Sequence, residues 1–168
     1  MLRWPAGRPD VTRSRPQSRL VAPPAGEVCR LPALEIVRRI RTREISVVEV
    51  ATAFLDRIEA VNPMVKAIVS LRERADILRE AEAADALLGS GAEAGPLFGL
   101  PVAIKDLAHT KGLRTTMGSP IFADFVPDED ELFVARMRQA GAIIIGKTNT
   151  PEFGLGSNTY NPVFGATL

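Results

Sequence analysis

Two lysines follow apolar segments, in different contexts, and Lys105 has the one suited to chemistry. Lys105 ends the run Leu100-Pro-Val-Ala-Ile104 and precedes Asp106. Lys147 follows Gly141-Ala-Ile-Ile-Ile-Gly146. A lysine that serves as a base near neutral pH needs its pKa lowered by about three units from ~10.4, on the order of 4 kcal/mol. An apolar strand end can supply that by desolvating the ammonium. The plainer alternative for Lys105 is a surface lysine paired with its neighbour Asp106.

Lys147 carries a different signal. Gly141 to Thr148 fits the phosphate-loop pattern G-x-x-x-x-G-K-[ST] letter for letter. Such a loop must curl its backbone N–H groups round an anion, after a strand and before a helix. Here the middle holds three β-branched isoleucines, which favour an extended strand. A helix-like segment precedes the pattern, and Pro151 and Gly154 follow where a helix should start. The match is therefore read as a coincidence, and no nucleotide or other cofactor is expected.

Other reactive side chains are few. Ser119 and Ser157 lie in Gly-rich loops and could pair with a lysine, although loop serines usually bond to nearby backbone. His109 is the only histidine and has no Cys or His companion, so no metal site is expected. Cys29, the only cysteine, cannot form an internal disulfide and reads as an incidental thiol in a reducing, cytoplasmic setting. Asp124, Asp128, Glu129, Asp130 and Glu131 suit a solvated helix N-terminus better than a metal site.

The elements that must position these residues follow from the pattern. Leu31 to Thr42 predicts a short helix with Leu34, Ile36, Val37 and Ile40 inward. Ser46 and Glu49 have capping-box spacing, and Val47, Val50, Phe54, Ile58 and Val61 then step by three and four along one helix face. Asn62-Pro63 should end that helix. Val65 to Ser70 is a strand candidate, and Leu71 to Leu88 a helix by propensity with Gly89 as its cap. Leu100 to Ile104 and Ala142 to Ile145 read as apolar strands around a helix that Gly141 closes. Helices alternating with short apolar strands indicate an α/β domain.

Composition narrows the function classes. The chain has 168 residues, 46% apolar, with 21 basic and 20 acidic side chains, so net charge gives no support to a nucleic-acid partner or an anionic membrane surface. No apolar run approaches the roughly 18 residues of a membrane span. Residues 1–26 differ from the rest: five arginines, five prolines and one acid. They lack the apolar core of a signal peptide, and their prolines oppose a helical transit peptide. A disordered extension over 1–26 and a folded region over 27–168 are expected.

The flanking residues of Lys105 supply a sharper indication. Gly95-Pro-Leu-Phe-Gly-Leu-Pro-Val-Ala-Ile-Lys105-Asp106 is followed by Gly112-Leu-Arg-Thr-Thr-Met-Gly-Ser119. Then come Gly146-Lys-Thr-Asn149 with Glu152-Phe153, and Ser157 to Thr167. In this order and spacing they resemble the N-terminal half of the amidase signature family, over roughly residues 28 to 167. The resemblance implies hydrolysis or transfer at carboxamide C–N bonds by a Ser-cisSer-Lys triad, with Lys105 as the lysine. A serine attacks the carbonyl, a second serine relays its proton, and the lysine takes it. The family's relay serine lies in a Gly-Gly-Ser-Ser-Gly-Gly loop and its nucleophile in a later Gly-Gly-Ser motif. Neither motif occurs in these 168 residues.

The resemblance thus implies a partial amidase-signature fold, with helices on a mixed sheet that this chain leaves incomplete, and a chain inactive alone. A pseudogene product, a partial gene and one half of a split enzyme all fit. So does a non-catalytic binding or assembly module. A small amide is the implied substrate once the rest is supplied; its identity and the substrate-binding residues are not given. Exposed strand edges and apolar faces, a tendency to oligomerise, and a poorly ordered stretch from Gly146 to Leu168 are further expectations.

Overall fold

The computed structural model describes residues 26–168; the expected extension over 1–26 lies outside the described residues but for Gly26. Helix α1 (Ala33–Arg41) buries Ile36, Val37 and Ile40. Leu34, expected inward, is 83% exposed. It precedes Ile36 by two residues, roughly 200° round the helix, and so falls on the opposite face.

Helix α2 (Val47–Val65) starts with the expected capping box: Ser46 Oγ accepts the Glu49 N–H at 3.1 Å, and Glu49 accepts the Ser46 N–H at 2.8 Å. Two further N–H groups of its first turn, from Val47 and Val48, donate at 2.8 and 3.1 Å to Asp85 of α3 (Arg74–Gly89). Contrary to expectation, Asn62-Pro63 does not end α2. The helix continues to Val65, and Lys66 closes it in the left-handed conformation. Pro63 lies in the last turn, where few backbone bonds remain to be lost. Asn62 acts differently: its side-chain amide donates to the Ile68 carbonyl and accepts the Ile68 N–H, both at 2.8 Å, and so fixes the start of strand β1 (Ile68–Leu71).

Strands β2 (Pro101–Lys105) and β3 (Ile143–Thr148) complete a mixed three-stranded sheet. The central β3 pairs antiparallel with β1 and parallel with β2. One face meets the helical layer: Ile143 and Ile145 join Ile36, Ile40, Val50 and Leu55. The other face packs Ile144 and Ile104 against Val134 of helix α4 (Leu132–Gln139). This two-sided burial explains the unbroken run of isoleucines.

The acidic run leads into the next helix with Asp124, Asp128, Glu129 and Glu131 exposed, as expected of a solvated helix start, and two of its members have a further part. Helix α4 starts at Leu132, with no acid in its first turn. Asp130 accepts the Lys111 N–H at 2.8 Å and Arg138 Nε at 2.7 Å, and Glu131 accepts the His109 N–H at 3.2 Å. These two carboxylates brace the loop after β2, Asp130 half-buried and Glu131 exposed.

The stretch after β3 is also pinned, where poor order was expected. A small hairpin, β4 (Tyr160–Asn161) with β5 (Gly165–Ala166), forms there. Buried Asn161 donates to Asn149 Oδ1 at 2.7 Å and to the Thr150 carbonyl at 2.8 Å, and accepts the N–H groups of Val163 and Phe164. Exposed apolar side chains do occur, among them Ile121, Leu132, Leu155 and Leu168.

Candidate functional site

Strands β2 and β3 run parallel and end side by side, with Lys105 opposite Thr148. The Gly-, Thr- and Asn-rich loops that follow both ends gather on one side of the sheet. Crevices outside the carboxyl ends of parallel strands are the usual place for ligands in open α/β sheets.

Lys105 stands at this end with an exposed side chain. Among the described residues its ammonium has no hydrogen-bond or ion-pair partner. Both sequence-based alternatives need correction. Desolvation by the apolar strand end is not found, because Ile104 turns into the core and Lys105 turns outward. The surface pair with Asp106 is not found either, because that carboxylate is buried and committed elsewhere.

Asp106 is held at every polar group. Its N–H donates to the Thr148 carbonyl at 3.0 Å, and its carbonyl accepts the Met117 N–H at 2.9 Å. Its carboxylate accepts the Thr116 N–H at 3.1 and 3.2 Å and the Thr116 hydroxyl at 2.5 Å. Burial nevertheless raises its pKa, the hydrogen bonds from Thr116 opposing.

The desolvated lysine is Lys147, fully buried. Its ammonium donates to the Ala108 carbonyl, to Thr110 Oγ1 at 2.9 Å and to Thr115 Oγ1 at 3.0 Å. Burial lowers its pKa to about 8, with Asp106, Glu131 and Asp130 acting the other way. A register shift in the sheet aims it there. Val102 pairs with Ile144 and Ala103 with Gly146, so Ile145 is an extra residue on β3. Without the bulge, strict alternation from Ile143 and Ile145 would turn Lys147 towards the apolar helices. With it, Lys147 shares the face of Ile104, its partner in the register.

Gly141 to Thr148 is thus a turn and a strand, as the isoleucines required, not an anion-cradling loop. Gly146 serves close approach: a Cβ there would come within 2.6 Å of the Ser70 carbonyl on β1. Sequence reasoning did not single out Lys147 as a site residue. The available signal was a lysine two residues after three consecutive isoleucines, close enough to share their buried strand and so to demand buried partners.

The local serines are not joined to Lys105. Ser119 is buried and donates to Glu152 Oε1 at 2.7 Å. Ser157 is exposed in the loop before β4. His109 packs edge-on against Phe125, ring centroids 5.4 Å apart. Cys29 Sγ lies 3.4 Å from the Ala53 carbonyl, and burial raises its pKa. The backbone of the site loops is unusual: Met117 and Phe153 are non-glycine residues at φ 54° and 49°, joined by a 2.8 Å bond from the Phe153 N–H to the Met117 carbonyl. Positions of this kind cluster at ligand clamps and active sites.

Known proteins resemble this chain in sequence and fold. The chain is 44% identical over 138 residues to a Glutamyl-tRNA(Gln) amidotransferase subunit of Carboxydothermus hydrogenoformans, covering 82% of this chain and 28% of that protein. It is 46% identical over 132 residues to the same-named subunit of Thermus thermophilus, covering 79% of this chain and 26% of that protein. The fold matches the native peptide amidase of Stenotrophomonas maltophilia with TM-score 0.75 and 30% identity, over 84% of this chain and 30% of that one. It matches a fatty acid amide hydrolase with TM-score 0.77 and 25% identity, over 83% of this chain and 25% of that one. The chain therefore spans under a third of the length of these relatives. The family profile described as Amidase matches residues 49–168, through both parallel strands and the loops that follow them, and the chain belongs to that family.

Proposed function

We propose that residues 27–168 form the N-terminal part of an amidase-signature domain, and that Lys105 is the base of its Ser-cisSer-Lys site, cleaving a carboxamide C–N bond. The observation that carries this is Lys105 itself: an ammonium without a partner among the described residues, on a backbone fixed by its pairing with β3 and by the turn that follows it. A structural lysine is normally paired or packed, as Lys147 is. A partner-free one at the carboxyl end of parallel strands, in an amidase-family chain, is available for chemistry.

In this reading Lys105 acts in its neutral form. It takes the proton that the relay serine receives from the attacking serine, and returns it by the same path to the departing amine. In the complete enzyme, polypeptide packed over the ends of β2 and β3 would shield it from water. Such a site requires the two serine motifs from outside residues 27–168. A small amide is the substrate class, no cofactor takes part, and the enzyme works in the cytoplasm. Among the described residues no helix is long and apolar enough to cross a membrane.

A second reading has its own support. The curated relatives at 44% and 46% identity are named for one component of a Glutamyl-tRNA(Gln) amidotransferase. On that reading the same Lys105 serves amide transfer inside a multi-subunit assembly.

The test is a chimera. Residues 27–168 replace the corresponding segment of the Carboxydothermus hydrogenoformans relative, and ammonia release from glutamine and from simple carboxamides is measured. The chimera should turn over, and Lys105→Ala should lower kcat/KM by about 10³-fold or more. A folded Lys105→Ala chimera working at the unsubstituted rate would sink the proposal. Activity only when the other components of the assembly are present favours the amidotransferase reading.

A further inference from the structure

We infer that Lys147 is a positioning residue for Lys105, acting through the turn that follows β2. The inference rests on the proposed role of Lys105. Its foundation is a closed set of bonds around one peptide segment. The Ala108 N–H donates to the carbonyl of Lys105 itself at 3.1 Å, closing a tight turn over Asp106 and Leu107. The carbonyl of the same Ala108 accepts the Lys147 ammonium. The two remaining ammonium donors reach Thr110 and Thr115, on either side of the loop that returns to Thr116. Thr116 then holds the Asp106 carboxylate through both its N–H and its hydroxyl. Starting from Lys105, the chain of bonds passes through Ala108, Lys147, Thr115, Thr116 and Asp106, and comes back to the residue next to Lys105.

This closure explains an arrangement that simple packing would not select. A fully buried ammonium is costly unless every donor is matched, and a methionine or leucine would fill the same volume without that demand. Lys147 has three matched donors, and the bulge at Ile145 exists in register with them. A buried polar network of this kind specifies one arrangement of the groups it joins, because a partly made network is worse than none. The groups it joins here are the loop that follows Lys105 and the neighbouring strand β3. Lys105 does not contact Lys147; it inherits from it a fixed Cα position and direction. The charged groups that bear on Lys147 electrostatically are Asp106, in the turn, and Glu131 and Asp130, before α4.

Two measurements test this separately from the role of Lys105. The first uses the 168-residue chain and reads amide hydrogen exchange at Ala108, whose N–H rests on the Lys105 carbonyl. Thr110→Val and Thr115→Val each delete one acceptor of Lys147 at constant volume, with that hydroxyl's own bond to the Ala108 or Leu113 carbonyl, and avoid the folding risk of Lys147→Met; Thr115→Val leaves the Ala108 carbonyl untouched and is the cleaner of the two. Each should speed exchange at Ala108 by about ten-fold, the scale of one charge-assisted hydrogen bond, while the amides of α2 keep their protection. Thr110→Ser and Thr115→Ser, which retain the hydroxyl, should exchange as the unsubstituted chain does. Unchanged exchange at Ala108 in both valine variants overturns the inference, as does equal acceleration in the serine variants.

The second measurement uses the chimera. Thr110→Val and Lys147→Met should lower kcat by about ten-fold or more with KM within a factor of two, and Thr110→Ser should restore the rate. A folded Lys147→Met chimera with unaltered kcat overturns the inference. If Lys105→Ala leaves the chimera unaffected, the role of Lys105 fails, and the exchange data still decide whether Lys147 fixes the turn.

Discussion

The ends of β2 and β3 differ more than their nearness suggests. Each strand is apolar, each carries a lysine near its carboxyl end, and the two run side by side. Lys105 is exposed and without a partner among the described residues. Lys147 is fully buried and fully bonded. One extra residue on β3, Ile145, makes the difference, since it decides which face the following side chains take. The contrast teaches that an apolar approach does not tell where a lysine ends up. The strand end that was expected to desolvate Lys105 leaves it outside, and the lysine of the coincidental phosphate-loop pattern is the desolvated one.

The largest expected effect breaks the contrast at its exposed end. Lys105→Ala should remove about three orders of magnitude of turnover in the chimera, yet change the melting temperature of the chain by no more than a degree or two, an exposed substitution being worth within about 0.5 kcal/mol. Loss of cooperative folding would instead make Lys105 structural.

Lys147→Met should behave in the opposite way. It removes three charge-assisted hydrogen bonds from a buried site, at a cost on the order of 3 kcal/mol read by urea denaturation. Full stability in this variant would mean that the network is dispensable.

A pH series sharpens the same point. The folded pKa of Lys147 is lowered to about 8 from the ordinary 10.5. Between those values the unfolded chain binds more protons than the folded one, so this residue makes stability rise with pH. Below pH 8 both states are protonated and the cost of burying the charge is fully present. Above 10.5 neither is, and the dependence vanishes. The difference in melting temperature between the unsubstituted chain and Lys147→Met should therefore widen from pH 8 to 10.5; a difference flat with pH contradicts a desolvated ammonium. The smallest effect lies far from both lysines. Ser46→Ala removes a helix cap and should cost about 1 kcal/mol without altering exchange at Ala108.

Several features were legible from local patterns. The capping box at Ser46 and Glu49 is a contact over three residues, and the sequence states it directly. The three isoleucines of β3 announced a strand buried on both faces. The motifs around Lys105 and on to Thr167 led to the amidase family. Other features were not legible, because they depend on partners distant in the chain. Asn62-Pro63 reads as a helix stop, yet α2 runs on to Val65, and the Asn62 amide instead fixes the start of β1 through Ile68. The acids before α4 read as helix-terminal charges, yet Asp130 and Glu131 are taken by the backbone of residues 109 and 111. The tail after Gly146 has no periodicity, yet Asn149 and Asn161 bind it to itself.

By itself the sequence determined the class of fold, the order of most elements, the family and the lysine at the end of β2. Those rest on contacts within a few residues, or on motifs whose spacing is preserved along the chain. Tertiary structure alone decided the environments of the two lysines. A side chain's burial and partners depend on which strand face it occupies, and a single bulge reverses that face without leaving a mark in the local pattern.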